Sequence, residues 1–420
     1  MTRLTRSALA ADLLERVFAP PPVATLTPRR VGAEVELLAL DALTGRPALL
    51  DDGGDGRPAV LPLLRRYGPR QGWVEQRTAK GAPCFAVRGG GTVSFEPGGQ
   101  VEYASPPVRS LSHLINRLRA VVVPLRAAAA GEGISLLAVG IDPLNPVERA
   151  PLQLSCERYR RMADHFARIG PSGARMMRQT AALQMSFDFD DEPRLRWRLL
   201  NALAPWVTAI FANSPAYAGR ESGHRSFRAH CWRTLDPRRT GLPYADRRAV
   251  EAYLDFALGA PAILLPEIGG RCLPFGEWLR RADITRGEWE AHLSTLFPEV
   301  RPRGHVELRA CDAVSPAWYP APLAFVAGLL YEPHAARAAL DLLPPPDLGL
   351  LERAGRLGLQ DAAIAAIAPD LAEIALAGCE ALGPGFIQPS HLEEARAFFD
   401  GYTRRGRSPA DDGASAAAAA

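Results

Sequence analysis

The chain has 420 residues, 47% of them hydrophobic and 23% charged, a composition ordinary for a globular protein able to bury a sizeable core. A formal net charge of +3, with the basic residues scattered along the chain, gives no electrostatic case for a nucleic-acid partner. No run of about 18 apolar residues is uninterrupted and the N-terminus lacks a signal-peptide core, so no membrane partner is expected and the cytoplasm is the expected compartment.

Residues 1–20 read as an amphipathic helix stopped by the APPP run at 19–22. In VGAEVELLAL (31–40), Val31, Ala33, Val35 and Leu37 alternate onto one face, with Glu34 and Glu36 together on the other. A Gly/Asp/Pro-rich loop follows at 44–60. Gly89–Gly91 could cover phosphates or be a flexible turn, since the Lys-Ser/Thr of a P-loop is missing. The segment TVSFEPGGQVEYAS (92–105) reads as a hairpin, with Glu96 and Glu102 beside its Pro-Gly-Gly turn. Residues 109–130 form a long helix that Pro124 should kink or divide, and 133–143 a strand ending in a turn. An amphipathic helix over 156–170 is closed by Gly170.

In the strand expected over 180–189, Gln184, Ser186 and Asp188 oppose Leu183, Met185, Phe187 and Phe189. The segment 192–214 is apolar on too many sides to be a surface helix and is expected to be central. Two further strands are expected over 225–233, with Arg228, His230 and Trp232 on one face, and over 304–312, with His305, Glu307 and Arg309 on one face. Beyond 320 the chain is helical, ending in a disordered tail at 405–420. No linker divides residues 1–404, which are read as one domain with helices flanking a central sheet.

Any one polar strand face can simply meet water. Together, these faces concentrate carboxylates, an amide and arginines; Lys80 is the only lysine in the chain. If the strands are neighbours, one side of the sheet is a bowl lined by Glu34, Glu36, Glu96, Glu102 and Glu307 and ringed by Gln184, Arg228 and Arg309. Carboxylates so crowded require a hard divalent cation, magnesium or manganese. Arginines beside such ions suit phosphoryl transfer. Six cysteines without a CxxC pair are expected to be reduced thiols, Cys84 among them.

At these segments the chain resembles the glutamate–cysteine ligases of the plant and proteobacterial type, and most the actinobacterial-like branch of the ergothioneine pathway. The resemblance rests on G-x-E-x-E at 32–36, S-F-E-P-G-G-Q-x-E at 94–102, G-x-D-P at 140–143 and M-M-R-x-T-A-A-L-Q at 176–184. A-N-S-P at 212–215, R-x-H-x-W-R at 228–233, D-P-x-R-T-G at 236–241 and H-L-S-T-L-F-P-E-V-R-P-R at 292–303, running into V-E-L-R at 306–309, complete it. It implies an α+β fold in which a central antiparallel β-sheet forms an active-site funnel flanked by α-helices, as in the glutamine synthetase and guanido kinase superfamily.

The implied reaction is ATP-dependent: the γ-carboxylate of glutamate is phosphorylated, and the amine of cysteine displaces phosphate to give γ-glutamylcysteine for ergothioneine or glutathione synthesis. Glu34, Glu36, Glu96, Glu102 and Glu307 would ligate magnesium, with Arg309, Glu307 and Glu102 as the catalytic group. Arg228 and Arg233 would hold an amino-acid carboxylate, and Gln184, His230 and Trp232 would complete the substrate contacts. Gln184 stands where a more distant branch carries a metal-binding histidine. Ala33 replaces the threonine of the plant G-T-E-x-E, on the apolar side where the change should be harmless. For His230 a structural hydrogen-bonded role, for Asp188 a simple ion pair and for Trp232 ordinary packing remain the alternatives. Rival functions are a ligase joining glutamate to another amine, a glycosidase using paired carboxylates, and a non-catalytic subunit that kept the fold.

Overall fold

The computed structural model describes residues 4–18, 30–54, 56–79, 81–189, 192–244 and 248–413. The APPP run therefore lies outside the described residues. Seven strands are labelled in chain order: β1 Val31–Asp41, β2 Val74–Arg77, β3 Pro83–Ala86, β4 Thr92–Phe95, β5 Val101–Ala104, β6 Ile134–Leu137 and β7 Leu183–Phe187. With the strands Val300–Pro302 and Val306–Leu308 they make one nine-stranded sheet, whose adjacent pairs are all antiparallel. The order runs from Val300–Pro302 through Val306–Leu308, β7, β1, β5, β4 and β3 to β2, with β6 paired to the far end of β1. The expected α+β architecture with a large antiparallel sheet is what the chain forms.

The period-two pattern sets which side each strand buries. Val31, Ala33, Val35 and Leu37 of β1 enter the main core with Leu183, Met185 and Phe187 of β7 and Val306 and Leu308. Helix α1 (Arg6–Asp12), helix α2 (Val60–Arg70) and helix α3 (Leu111–Gly131) contribute to the same core. Helix α3 is undivided at Pro124. The amide that proline lacks would have paired with the carbonyl of Ala120, and both positions are exposed, so the orphaned oxygen is not left in the core. Helix α4 (Glu157–Ala167) and helix α5 (Ser172–Gln179) lie over the polar side, and helix α6 (Pro193–Ile210) is buried along nearly its whole length, as its all-round apolarity predicts.

The expectation for 225–233 is overturned: Phe227–Leu235 is a helix, α7. The hydroxyl of Ser226 caps it by accepting from the Ala229 amide at 3.0 Å, and also donates to Asp312 Oδ1 at 2.9 Å. Alternation over seven residues is compatible with either period, and the cap decides. Arg228 and Trp232 therefore share a helical face that His230 does not.

The C-terminal half is helical as expected. Pro320–Tyr331 is wholly buried and crosses Ala362–Leu382 at two glycines: a Cβ on Gly328 would lie 2.1 Å from the Ala375 carbonyl oxygen, and one on Gly378 would lie 2.6 Å from that of Gly328. Ala362–Leu382 is long and apolar enough to cross a membrane, but this close crossing is the packing of a core helix. The expected disorder from 405 onward does not begin there: Ala410 donates to the Ala212 carbonyl at 2.9 Å and Asp411 pairs with Arg225 at 3.1 Å. Residues 414–420 lie outside the described residues.

Candidate active site

Register brings the acids together. In β1 Glu36 stands opposite Glu102 of β5 and Glu34 opposite Gln184 of β7, while Glu307 faces Ser186. Glu96 is carried by the turn between β4 and β5. There the Glu96 amide donates to the Gln100 carbonyl at 2.9 Å and the Gly99 amide to the Glu96 carbonyl at 2.8 Å. Gly99 needs its φ of +89°, and Gly98 needs its missing side chain, because a Cβ would lie 2.2 Å from the Arg178 carbonyl oxygen. The side chain of Gln100 ties the turn to α5 by donating to the Thr180 carbonyl at 3.0 Å.

One carboxylate oxygen from each of Glu36, Glu96 and Glu102 falls within 4.8 Å of the others. Burial, then the charge of Glu96, pushes Glu36 up to about 8 against the opposing pull of Arg228 and Arg309. Burial, then Glu34, Glu96 and Glu36, pushes Glu102 well above the usual carboxylate range. Glu34 is raised by burial and by Glu307. Three acids so placed cannot all be charged unless a cation joins them. An oxygen-only donor set fits magnesium or manganese.

On the other side of Glu34 lies a guanidinium cluster. Arg301 grips Glu307 with two hydrogen bonds, Nε to Oε2 at 2.8 Å and Nη2 to Oε1 at 3.0 Å, and Arg309 Nη1 donates to Glu307 Oε1 at 2.6 Å. Burial alone would raise Glu307, but Arg301 and Arg309 outweigh it and hold the group below the carboxylate range. Both oxygens of Glu307 are thus engaged by arginines. The residue anchors guanidinium groups and is not one of the three clustered carboxylates. Arg309 Nη1 also donates to Gln184 Oε1, and Gln184 Nε2 to Glu36 Oε1 at 2.6 Å, so the amide links the arginine side to the acidic side.

A cavity of about 620 Å³ opens over both groups, lined by Glu34, Glu36, Glu96, Glu102, Gln184 and Arg309 among the expected residues. Trp232 also lines it, with the guanidinium carbons of Arg228 and Arg309 5.6 and 5.3 Å from its ring centre. Arg228 lies behind that ring, donating to the Arg309 carbonyl at 2.8 Å and facing Asp312 at 3.7 Å, so it does not line the cavity. His230 and Arg233 are not brought to the site. They line a separate cleft with Glu352, where His230 stacks on Phe227 at 5.4 Å and meets the tilted ring of His224 at 4.4 Å. The strand expected over 225–233 had put His230 beside Arg228; the helical turn carries it away. Asp188 is the simple ion pair, with Arg30 at 3.0 Å. Cys84 is a buried free thiol.

Sequence reasoning gave no role to Arg301 and Arg303, which line the cavity, although both sit inside the L-F-P-E-V-R-P-R run. Their signal was the hairpin with 306–308, which sets Arg301 opposite Glu307. Arg158 and Tyr159 of α4, and Met162, Met176 and Met177, form the facing wall. Nothing in a local pattern marks a helix as the lid of a distant sheet.

The family described as glutamate–cysteine ligase family 2 matches residues 30–378. The glutamate–cysteine ligase EgtA of Mycolicibacterium smegmatis is 33% identical over 361 residues, covering 82% of this chain and 82% of that protein. EgtA of Mycobacterium tuberculosis is 34% identical over 349 residues, covering 77% of this chain and 76% of that protein. The chloroplastic glutamate–cysteine ligase of Arabidopsis thaliana is 31% identical over 330 residues, covering 74% of this chain, and those residues span only 61% of the plant protein's length. Among solved structures, a glutamate–cysteine ligase of Francisella tularensis in complex with AMP shares the fold, at a TM-score of 0.51 and 13% identity, over 92% of this chain and 84% of that one.

Proposed function

The chain belongs to glutamate–cysteine ligase family 2, and from that membership we propose that it joins the γ-carboxylate of L-glutamate to the amine of L-cysteine, with ATP as phosphoryl donor, in the cytoplasm. The observation that carries this reading is the meeting of Glu36, Glu96 and Glu102 within 4.8 Å at one cavity that also holds Arg301, Arg303 and Arg309. Residues 1–404 are read as the catalytic domain.

A carboxylate resists attack by an amine, because the oxygen to be expelled is a poor leaving group. Transfer of the terminal phosphoryl of ATP to the γ-carboxylate gives an acyl phosphate and ADP. Attack by the amine then forms the C–N bond and expels phosphate, yielding γ-glutamylcysteine for ergothioneine or glutathione synthesis. Glu36, Glu96 and Glu102, with Glu34 beside them, would hold magnesium, which when bound neutralises phosphate oxygens and lowers their mutual repulsion. Arg309 and Arg301, fixed by Glu307, present guanidinium groups toward charge developing on the transferred phosphoryl. Gln184 orients Glu36 and Arg309 together. The wall of Met162, Met176, Met177 and Trp232 limits water around the acyl phosphate.

The purified protein should be incubated with ATP, magnesium and glutamate, and amines supplied singly. Phosphate release that needs cysteine, with γ-glutamylcysteine identified by mass, is the expected result. Release with another amine but not cysteine would reassign the chain to a related carboxylate–amine ligase. Turnover persisting after chelation and without ATP would remove the ligase reading altogether.

A further inference from the structure

Behind the turn that carries Glu96, a second cleft of about 640 Å³ shares no residue with the catalytic cavity. Among the described residues its charged lining is Arg46, Arg57, Arg149 and Arg178 against the carboxylate of Glu148. Arg46, Arg149 and Arg178 form no salt bridge among the described residues, and Arg178 Nε is buried without a hydrogen-bond partner. Guanidinium groups gathered from separate parts of a chain repel one another unless an anion sits among them.

The segments supplying these arginines are the ones that clamp the Glu96 turn. Gln153 receives the Leu50 amide at 2.5 Å and donates to the Ala48 carbonyl at 3.0 Å and the Gly98 carbonyl at 2.8 Å, while its own amide donates to the Pro97 carbonyl at 2.7 Å. The loop bearing Arg46, the stretch bearing Arg149 and the end of α5 bearing Arg178 thus meet at Pro97 and Gly98, one or two residues from Glu96.

We propose that this cleft binds a phosphate group, free or carried by a small metabolite, and that its occupancy adjusts the turn that presents Glu96. Three arginine-bearing segments around one opening suit a tetrahedral oxyanion with oxygens on several sides, and drawing them together tightens the Gln153 clamp. Coupling of this kind is reciprocal: whatever phosphate does to magnesium affinity, magnesium does to phosphate affinity. An Arg46→Ala/Arg149→Ala variant leaves Arg301, Arg303 and Arg309 of the catalytic cavity in place, so a binding loss specific to that variant reports on this cleft and not on the reaction proposed above.

Calorimetric titration with inorganic phosphate, glycerol 2-phosphate and citrate, on wild type and on the Arg46→Ala/Arg149→Ala double variant, tests it. Both side chains are exposed, so the variant should keep the wild-type melting temperature without anion. Binding of either phosphate compound should weaken at least about tenfold in the variant, and citrate should bind more weakly than phosphate to wild type. Tighter binding of the ester than of free phosphate points to a metabolite, and the reverse to phosphate itself. Magnesium titrations at several fixed phosphate concentrations should show a phosphate dependence of metal affinity that is larger in wild type than in the variant, which keeps only the coupling within the catalytic cavity. Should the double variant fold poorly, Arg149→Glu alone serves. Phosphate binding unchanged in the variants, equal binding of citrate, or a phosphate dependence of magnesium affinity no larger in wild type than in the variant would each overturn the proposal.

Discussion

Glu36 shows how one side chain takes opposite values in two states of the site. Without a cation it is a buried acid pushed up to about 8 by its surroundings, and in the function proposed above it would become a charged ligand once magnesium binds. Glu36→Gln keeps shape and the contact with Gln184 while removing the charge. Its melting temperature without magnesium should match or exceed that of wild type, the stabilisation by added magnesium should vanish, and turnover should fall by at least about 100-fold, since even residues behind a metal ligand cost that order. Calorimetry with and without magnesium, beside a rate assay, reads both. Asp236 is a structural counterpart. Burial would raise its pKa, but the hydrogen bond from His165 at 3.1 Å and the charges of Arg239, bonded at 3.0 Å, and Arg238 hold it far below the usual range. A depressed carboxylate stabilises the fold above its unfolded pKa of about 3.9 and loses that contribution as pH falls through the folded value. Asp236→Asn should therefore cost about 3–5 kcal/mol at pH 7, as for other broken buried pairs. The gap to wild type should close only below about pH 4, which denaturant melts across pH would reveal.

At the scale of elements, the turn between β4 and β5 couples geometry to chemistry. Its two glycines were visible in E-P-G-G-Q, but not the reason for the first, which is the backbone of α5 lying against it. Gly98→Ala must displace either the turn or α5. Thermal melts should show a loss of about 1–3 kcal/mol, the usual cost of overpacking, with magnesium affinity lowered as Glu96 moves. A melting curve and metal binding both unchanged would mean that the turn is not held where it stands. The strands 31–41 and 183–187 were legible because one face is greasy and the other carries polar or charged side chains, Glu34 and Glu36 in the first and Gln184 and Ser186 in the second, so period two survives in the letters. Phe227–Leu235 was misread because its alternation is shared by a short helix, and its cap, Ser226, is a single serine bonded also to distant Asp312.

For the whole molecule, the helical half is a buttress for the sheet. Pro320–Tyr331 fills the core beside Ala362–Leu382, and the two backbones approach closely only because Gly328 and Gly378 lack side chains. Gly328→Leu should separate these helices and destabilise the fold by at least about 1–3 kcal/mol. Its melting temperature should fall, yet magnesium affinity of the folded fraction should persist, because no acid of the cluster is borne by either helix.

The sequence by itself determined the family, the strands whose faces differ in polarity, and the identity of the acids, since these depend on local alternation and on motifs a few residues long. Only the tertiary structure decided how those acids divide. Glu36, Glu96 and Glu102 converge, while Glu307, on the same polar side, is taken by Arg301 and Arg309. It also decided that Arg228 stands behind Trp232 and that His230 and Arg233 face another cleft. The physical reason is range: a side chain's period is set by its neighbours in sequence, but its charge state and partner are set by groups that strand register and helix packing bring from far along the chain.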